Sequence, residues 1–259
     1  MDFDYLKYNV SEGIATVRLS RPPVNAVNQA MYREIRQLFE HVEIFGSDLK
    51  AIVLTGSGKH FCAGNDLAEF ATLSPDNADD RMAEVRAAFF AIQDCPVPVI
   101  GALHGTVVGT GLAIAASCDF VVAADNVKMG TPEVRVGIMG GARHLARLVP
   151  EPMVRWMYFT AELVSATKLA EIGAVIEVVA PDDLLETAYR HARLVSRHSA
   201  VVLRMAKRSL NAIESMDLQP GYKFEQGLTR EICGEPDSRE AVRATLEQRS
   251  PRYPSEIAQ

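Results

Sequence analysis

The strongest constraint on this chain is a pair of short runs that leave no room for a solvent-facing side. AIVLTG (51–56) and VIGAL (99–103) carry no charge and almost no polar group. A strand that is apolar on both faces needs cover on both faces, which is the setting of a parallel sheet with helices around it. Each run opens into a loop rich in glycine and small residues, LTGSGKHFCAGND and ALHGTVVGTG. Between them Met82, Val85, Phe89 and Ile92 mark one face of a helix, and DFVVAA (119–124) supplies a further strand. Buried strands alternating with helices predict an α/β fold.

The flanking sequence extends the pattern. Residues 5–10 and 14–20 read as two strands around Ser11-Glu12-Gly13, and IATVRLS alternates with period two. Arg21-Pro22-Pro23 ends the second strand. Met31, Ile35, Leu38, Val42 and Phe45 predict a helix closed by Gly46. The spacing predicts a short helix from about 110 to 117, a turn at Pro132, helices at 142–149 and 152–160, and a last strand at VIEVV (175–179). From Pro181 onward the pattern is helical. The order is ββα, βα, βα and then helices. A chain of 259 residues suits one α/β core with an appendage. The tail from about 200 carries more amphipathic helix than the core needs. It either makes oligomer contacts or folds back on its own core.

Charge and motif content remove several functions. The net charge is −6 with no basic block, which argues against nucleic acid and anionic membranes as partners. No apolar run reaches the roughly 18–20 residues of a membrane span, and MDFDYLKYNV lacks the features of a signal peptide. Cys62, Cys95, Cys118 and Cys233 are widely spaced with no CxxC, so they read as reduced thiols of a cytoplasmic protein. No pair of histidines has helical metal-ligand spacing, and no metal is expected. GSGK (56–59) is not a P-loop, because Val53 stands at its first glycine and His60 at its Ser/Thr. Gly109-Thr110-Gly111 starts like a dinucleotide fingerprint, but Ile114 stands at the third glycine. No G-x-S-x-G elbow occurs.

Two glycine-rich junctions remain. Loops at the ends of neighbouring strands can converge, and a helix starting near 110 aims free N–H groups at the meeting point. Two convergent amides form an oxyanion hole, where a single donor contributes about 10²–10³ in rate. Ordinary tight turns are the alternative reading of the same glycines.

Four stretches together resemble the enoyl-CoA hydratase/isomerase, or crotonase, superfamily: LSRPPVNAVN (19–28), FCAGNDLAEF (61–70), HGTVVGTGLAIAASCDFVVAA (104–124) and GTPEVRVG (130–137). The similarity runs from about residue 5 to the C-terminus. It implies a spiral of ββα units with two near-perpendicular sheets over residues 1–200, and a helical oligomerisation region over 201–259. It also implies a homotrimer or dimer of trimers. The expected ligand is an acyl-CoA thioester, with coenzyme A part of the substrate and no separate cofactor. The thioester oxygen would be held by the backbone N–H groups of Asn65 and Thr110, beside Gly109. Ala63, Asp66 and Leu67 would meet the adenine end, and Tyr253 would line the pantetheine path.

The resemblance also shows where this chain departs. A typical hydratase uses two glutamates. One matches Glu133; the other falls on Ala113. The stretch VGIMGGARHLARL is about three residues shorter than is usual, which could carry Arg143 and His144 toward the pocket or leave them on a solvated helix face. Pocket-lining side chains are expected from 70–85 and from this shortened loop. His60 and His104 flank the two loops and read first as structural hydrogen-bonders, with His104 and His144 as candidate accessory groups. Asp66 is expected to shape its loop. A single glutamate favours an isomerase or a specialised hydratase or lyase that works through a thioester enolate. The alternatives are hydrolysis of a C–C bond in a cyclic β-keto acyl-CoA or β-diketone, and a non-catalytic acyl-CoA-binding homologue.

Overall fold

The run 51–56 forms β3 (Ala51–Gly56), every residue of which is buried. In the computed structural model, which describes residues 2–257, β3 lies inside a six-stranded sheet. It pairs in parallel with β2 (Ile14–Leu19) and β4 (Val99–Leu103). β1 (Leu6–Ser11) is antiparallel to β2 at one edge. β6 (Phe120–Ala124) and β9 (Val178–Val179) extend the other side in parallel. Alternation along β3 sends Ile52 and Leu54 to one face and Ala51 and Val53 to the other. The first face packs on α1 (Gln29–Glu40) and α3 (Ala78–Gln93) through Met31, Ile35, Leu38, Phe89 and Ile92. The second packs on α8 (Leu184–Ser196) through Leu184, Ala188 and Ala192. The requirement for cover on both faces is met by helices from distant parts of the chain.

A second sheet joins β5 (Thr106–Val108), β7 (Lys128–Gly130) and β8 (Val164–Ser165). Its strands are two or three residues long, too short to show a period in sequence. Three further readings are corrected. The helix expected over 142–149 stops at Leu145, and a turn follows it. The helix expected up to Phe45 ends at Glu40, and Val42–Phe45 forms a separate 3-10 turn. The strand expected over 175–179 is reduced to Val178–Val179, the residues in register with Ala123 and Ala124 of β6; Ile176, though exposed, still donates its N–H to Val121 O. Between the sheets' elements lie α2 (Leu67–Phe70), α4 (Thr110–Ser117), α5 (Ala142–Leu145), α6 (Glu151–Thr160) and α7 (Ala166–Glu171).

The tail comprises α9 (Ala200–Ile213), α10 (Leu218–Ile232), α11 (Pro236–Leu246) and α12 (Pro254–Ile257). It is tied to the core by a buried cation. Lys207 Nζ donates to Asp119 Oδ2 at 2.8 Å and to the Val97 carbonyl at 3.1 Å. Asp119 also accepts from the Val99 N–H at 2.7 Å, so one carboxylate joins α9 to the start of β4. Removing one partner of a buried pair leaves the other uncompensated. Lys207→Ala is therefore expected to lower the unfolding free energy by about 3 kcal/mol, measured by urea denaturation. An unchanged midpoint would show that the tie carries no stability.

Candidate active site

The segment 61–66 runs extended between two other pieces of chain. On one side the Phe61 N–H donates to His104 O (2.9 Å), the Cys62 N–H to Thr106 O (3.1 Å) and the Val108 N–H to Cys62 O (3.2 Å). On the other side the Ala63 N–H donates to Val24 O (3.0 Å), the Val27 N–H to Gly64 O (2.8 Å) and the Asp66 N–H to Val27 O (2.9 Å). Buried Asn25 secures the preceding turn, its Nδ2 donating to the carbonyls of Ser57, His60 and Phe61. Because Gly64 O and Asp66 N–H both point at Val27, the N–H of Asn65 between them points the opposite way. Thr110 is the first residue of α4, so its N–H has no acceptor within the helix.

Two glycines permit this meeting. Gly109 turns the chain with φ +55°, a left-handed value that favours glycine. A Cβ on Gly111 would stand 2.2 Å from Cys62 O, so the first turn of α4 packs directly on the 61–66 backbone. All eight residues of α4 are buried, which explains an Ala-rich helix without charge.

The loops border a cavity of about 370 Å³. Asn65, Gly109, Thr110, Ala113 and Glu133 line it together. Phe70, Leu73, Met82, Val85 and Phe89 give it an apolar wall, and Ile138 to Gly141 with His144 close another side. Thus both 70–85 and the shortened loop contribute lining residues. Glu133 sits on a 3-10 turn over Pro132–Val136. Its Oε1 faces glycines: a Cβ on Gly109 or on Gly141 would lie 3.3 Å from it. Its Oε2 is buried without a hydrogen-bond partner. Burial of the carboxyl raises its pKa above the usual carboxylate range, as suits a group that takes up and releases a proton. His144 stands edge-on to Phe89 at 5.0 Å. Burial first, then Arg147 and Arg143, lower its pKa and favour the neutral imidazole.

The other sequence candidates fall as follows. Asp66 caps α2, accepting from the N–H groups of Ala68 and Glu69, and pairs with Arg21 at 2.5 Å. These bonds hold its carboxyl below the usual range and commit it to loop shape. Ala63 and Leu67 lie on the same loop but outside the cavity lining, with Leu67 exposed. Two candidates lie away from the cavity, and for His104 this agrees with its first reading as a structural group. His104 does not line the cavity; desolvation lowers its pKa and its Nδ1 is buried without a partner. Tyr253 is buried elsewhere, with Lys50 Nζ 6.0 Å from its ring centroid, so one chain does not bring it to the cavity. Arg143 is exposed and faces Glu214 at 3.5 Å. Among the described residues no group of three or more His, Cys, Asp or Glu is placed to hold a metal ion. Sequence reasoning passed over Asn25 and Tyr32. A hydroxyl on the buried face of α1 was the signal for Tyr32, because a buried phenol needs a hydrogen-bond partner.

The profile of the enoyl-CoA hydratase/isomerase family matches residues 9–256. The chain belongs to this family. Within it, the chain is 37% identical over 222 residues to a (7aS)-7a-methyl-1,5-dioxo-2,3,5,6,7,7a-hexahydro-1H-indene-carboxyl-CoA hydrolase of Rhodococcus jostii, covering 85% of this chain and 86% of the relative. It is 38% identical over 223 residues to the protein of the same name in Mycobacterium tuberculosis, covering 85% and 89%. Among solved structures it superposes on an enoyl-CoA hydratase of Mycobacterium smegmatis with a TM-score of 0.91 at 29% identity, covering 96% of this chain and 98% of that one. The fold is therefore the crotonase fold, with two sheets and a helical C-terminal region.

The raised pKa of Glu133 has a consequence for stability. The folded state holds this proton more tightly than the unfolded chain, so the group's contribution is full below the ordinary glutamate pKa and is lost as pH rises through the folded value. Glu133→Gln, which keeps the shape without the charge, is expected to raise the thermal midpoint at pH 7 and to lose that advantage near pH 4, by about the ordinary carboxyl pKa. Parallel wild-type and variant midpoints across this range would contradict the desolvated carboxyl.

Proposed function

We propose that this family member acts on an acyl-CoA thioester through an enolate. One observation carries the reading: half-buried Glu133, whose Oε2 is buried without a partner, lines one cavity with Asn65 and Thr110. The two amides hold the thioester oxygen and stabilise its charge as the α-proton leaves. Glu133 takes that proton. Returning it to the γ-carbon of a 3-enoyl thioester completes an isomerisation in which no atom is gained or lost. Coenzyme A enters as part of the substrate, and none of these steps calls on a separate cofactor. The apolar wall suits an acyl group of modest polarity.

A second reading uses the same enolate in hydrolysis of a C–C bond. Three observations favour it: the names of the two hydrolase relatives, the alanine at position 113, and neutral His144 on the cavity wall. Water adds to a ring carbonyl β to the thioester, giving its proton to His144. The bond from that carbon to the α-carbon breaks, and its electron pair becomes the enolate held by the amides. Glu133, protonated at the start, delivers a proton to the α-carbon. One water is consumed; the new carboxylic acid releases its proton to solvent as the carboxylate, and the proton held by His144 returns Glu133 to its starting form. Neither path needs the glutamate that hydratases carry where this chain has Ala113.

Leu210, Leu218, Tyr222 and Leu246 stay exposed on the tail helices and support self-association as a trimer or dimer of trimers. Light scattering is expected to give at least three chains per particle, and a monomer would remove this part of the proposal.

Mass-resolved assays separate the two reactions. A 3-enoyl-CoA converted at constant mass with a shifted absorbance indicates isomerisation, and a cyclic β-keto acyl-CoA that gains one water indicates C–C hydrolysis. In either case Glu133→Gln is expected to reduce turnover by about 10³-fold or more, while affinity for the thioester changes little. Unaltered turnover in that variant would remove Glu133 from the mechanism.

A further inference from the structure

Tyr32 occupies the buried face of α1 beside Met31 and Ile35. Its ring stands edge-on to Phe89 at 5.9 Å, which fixes the ring plane. Its hydroxyl lies 2.6 Å from Asn65 Oδ1 and 2.7 Å from Thr110 Oγ1. An amide oxygen cannot donate, so the phenol proton goes to Asn65 and the Thr110 hydroxyl donates to the phenol oxygen. One atom therefore bridges the side chains of the two residues whose backbone N–H groups are proposed to form the oxyanion hole. These residues lie on different loops, 45 positions apart in the chain.

We propose that Tyr32 is a positioning residue that sets the spacing and direction of the Asn65 and Thr110 N–H groups for an oxyanion. The inference rests on the reading of those groups as an oxyanion hole. Tyr32 does not line the cavity and acts through its two partners. Backbone bonds tie the 61–66 segment to β5 and to Val27, and the Gly109 N–H donates to Gly130 O, but no backbone bond joins Asn65 to Thr110 directly. The phenol closes that gap. An aromatic ring has few rotatable bonds, so the bridge holds geometry with little loss of side-chain freedom. Desolvation also pushes the phenol pKa well above its ordinary value, so the proton that makes the bridge stays in place throughout the working pH range.

The test reads carbonyl polarisation directly and needs no turnover. The probe is 4-(dimethylamino)cinnamoyl-CoA, whose absorption moves to the red as its thioester carbonyl is polarised. It is bound to protein carrying Glu133→Gln, so that no reaction follows. The expected result is a red shift in this parent, cut to less than half by Tyr32→Phe with affinity little changed. Thr110→Val keeps the backbone N–H and removes the hydroxyl; it should give a similar loss. The two changes combined should give no more than either alone, because both break one bridge. Equal shifts in parent and Tyr32→Phe, or additive losses in the combined variant, overturn the role of Tyr32 and leave the oxyanion hole intact. Absence of any shift in the parent removes the oxyanion hole itself, and with it this role. If Tyr32→Phe fails to fold, judged by circular dichroism, Thr110→Val decides the question alone.

Discussion

The close approach of the α4 N-terminus to the 61–66 backbone is the constraint on which the rest depends. Gly111 lies where any side chain would collide with Cys62 O. That contact places a helix N-terminus beside an extended segment already pinned on both edges. The elements around it follow from keeping this junction in place. β3 and β4 deliver the two loops side by side, because they are parallel neighbours in the sheet. Asn25 holds the turn before the segment. α4 must be apolar all round because protein surrounds it on every side.

Much of this was legible in the chain. Strands apolar on both faces announced the sheet, and the glycine-rich junctions announced close backbone approach. The absence of charge between Gly101 and Ser117 was compatible with an oxyanion hole made by backbone or with ordinary tight turns, and the residues alone did not decide between them. Glu133 was found through motif resemblance, since a glutamate after proline is unremarkable on its own. The second sheet stayed hidden because two-residue and three-residue strands carry no periodicity. Tyr32 was hidden for a different reason. Its spacing made it one more residue of a buried helix face, and only three-dimensional proximity reveals that its hydroxyl reaches two loops. The placements of His104 and Tyr253 show the converse limit. Nearness in sequence to a functional loop does not decide on which side of the backbone a side chain falls, and family position does not fix a contact within one chain.

The site divides its labour by kind of group. In the proposed reading, backbone amides would hold the charge, and they could do so whatever side chain they carry. In the proposed reactions a single carboxyl would move the protons, and the desolvation that raises its pKa also costs the fold stability. Asp66 and Lys207 represent the other use of charge in the molecule. Each is surrounded by partners and spends its charge on architecture. An ionisable group lacking a partner in the cavity is thus a better guide to chemistry here than one rich in partners.

The glycines around Glu133 carry a consequence for how the carboxyl moves. Gly109, Gly140 and Gly141 leave its Oε1 flanked by hydrogens where other residues would place methyl or larger groups. A carboxyl walled in this way is free to pivot about its last torsion. In the isomerisation proposed above, that room would let one carboxyl serve both the α- and the γ-carbon of a bound acyl chain. The backbone is in close contact at Gly111, whereas a few residues away the glycines leave room around the Glu133 carboxyl.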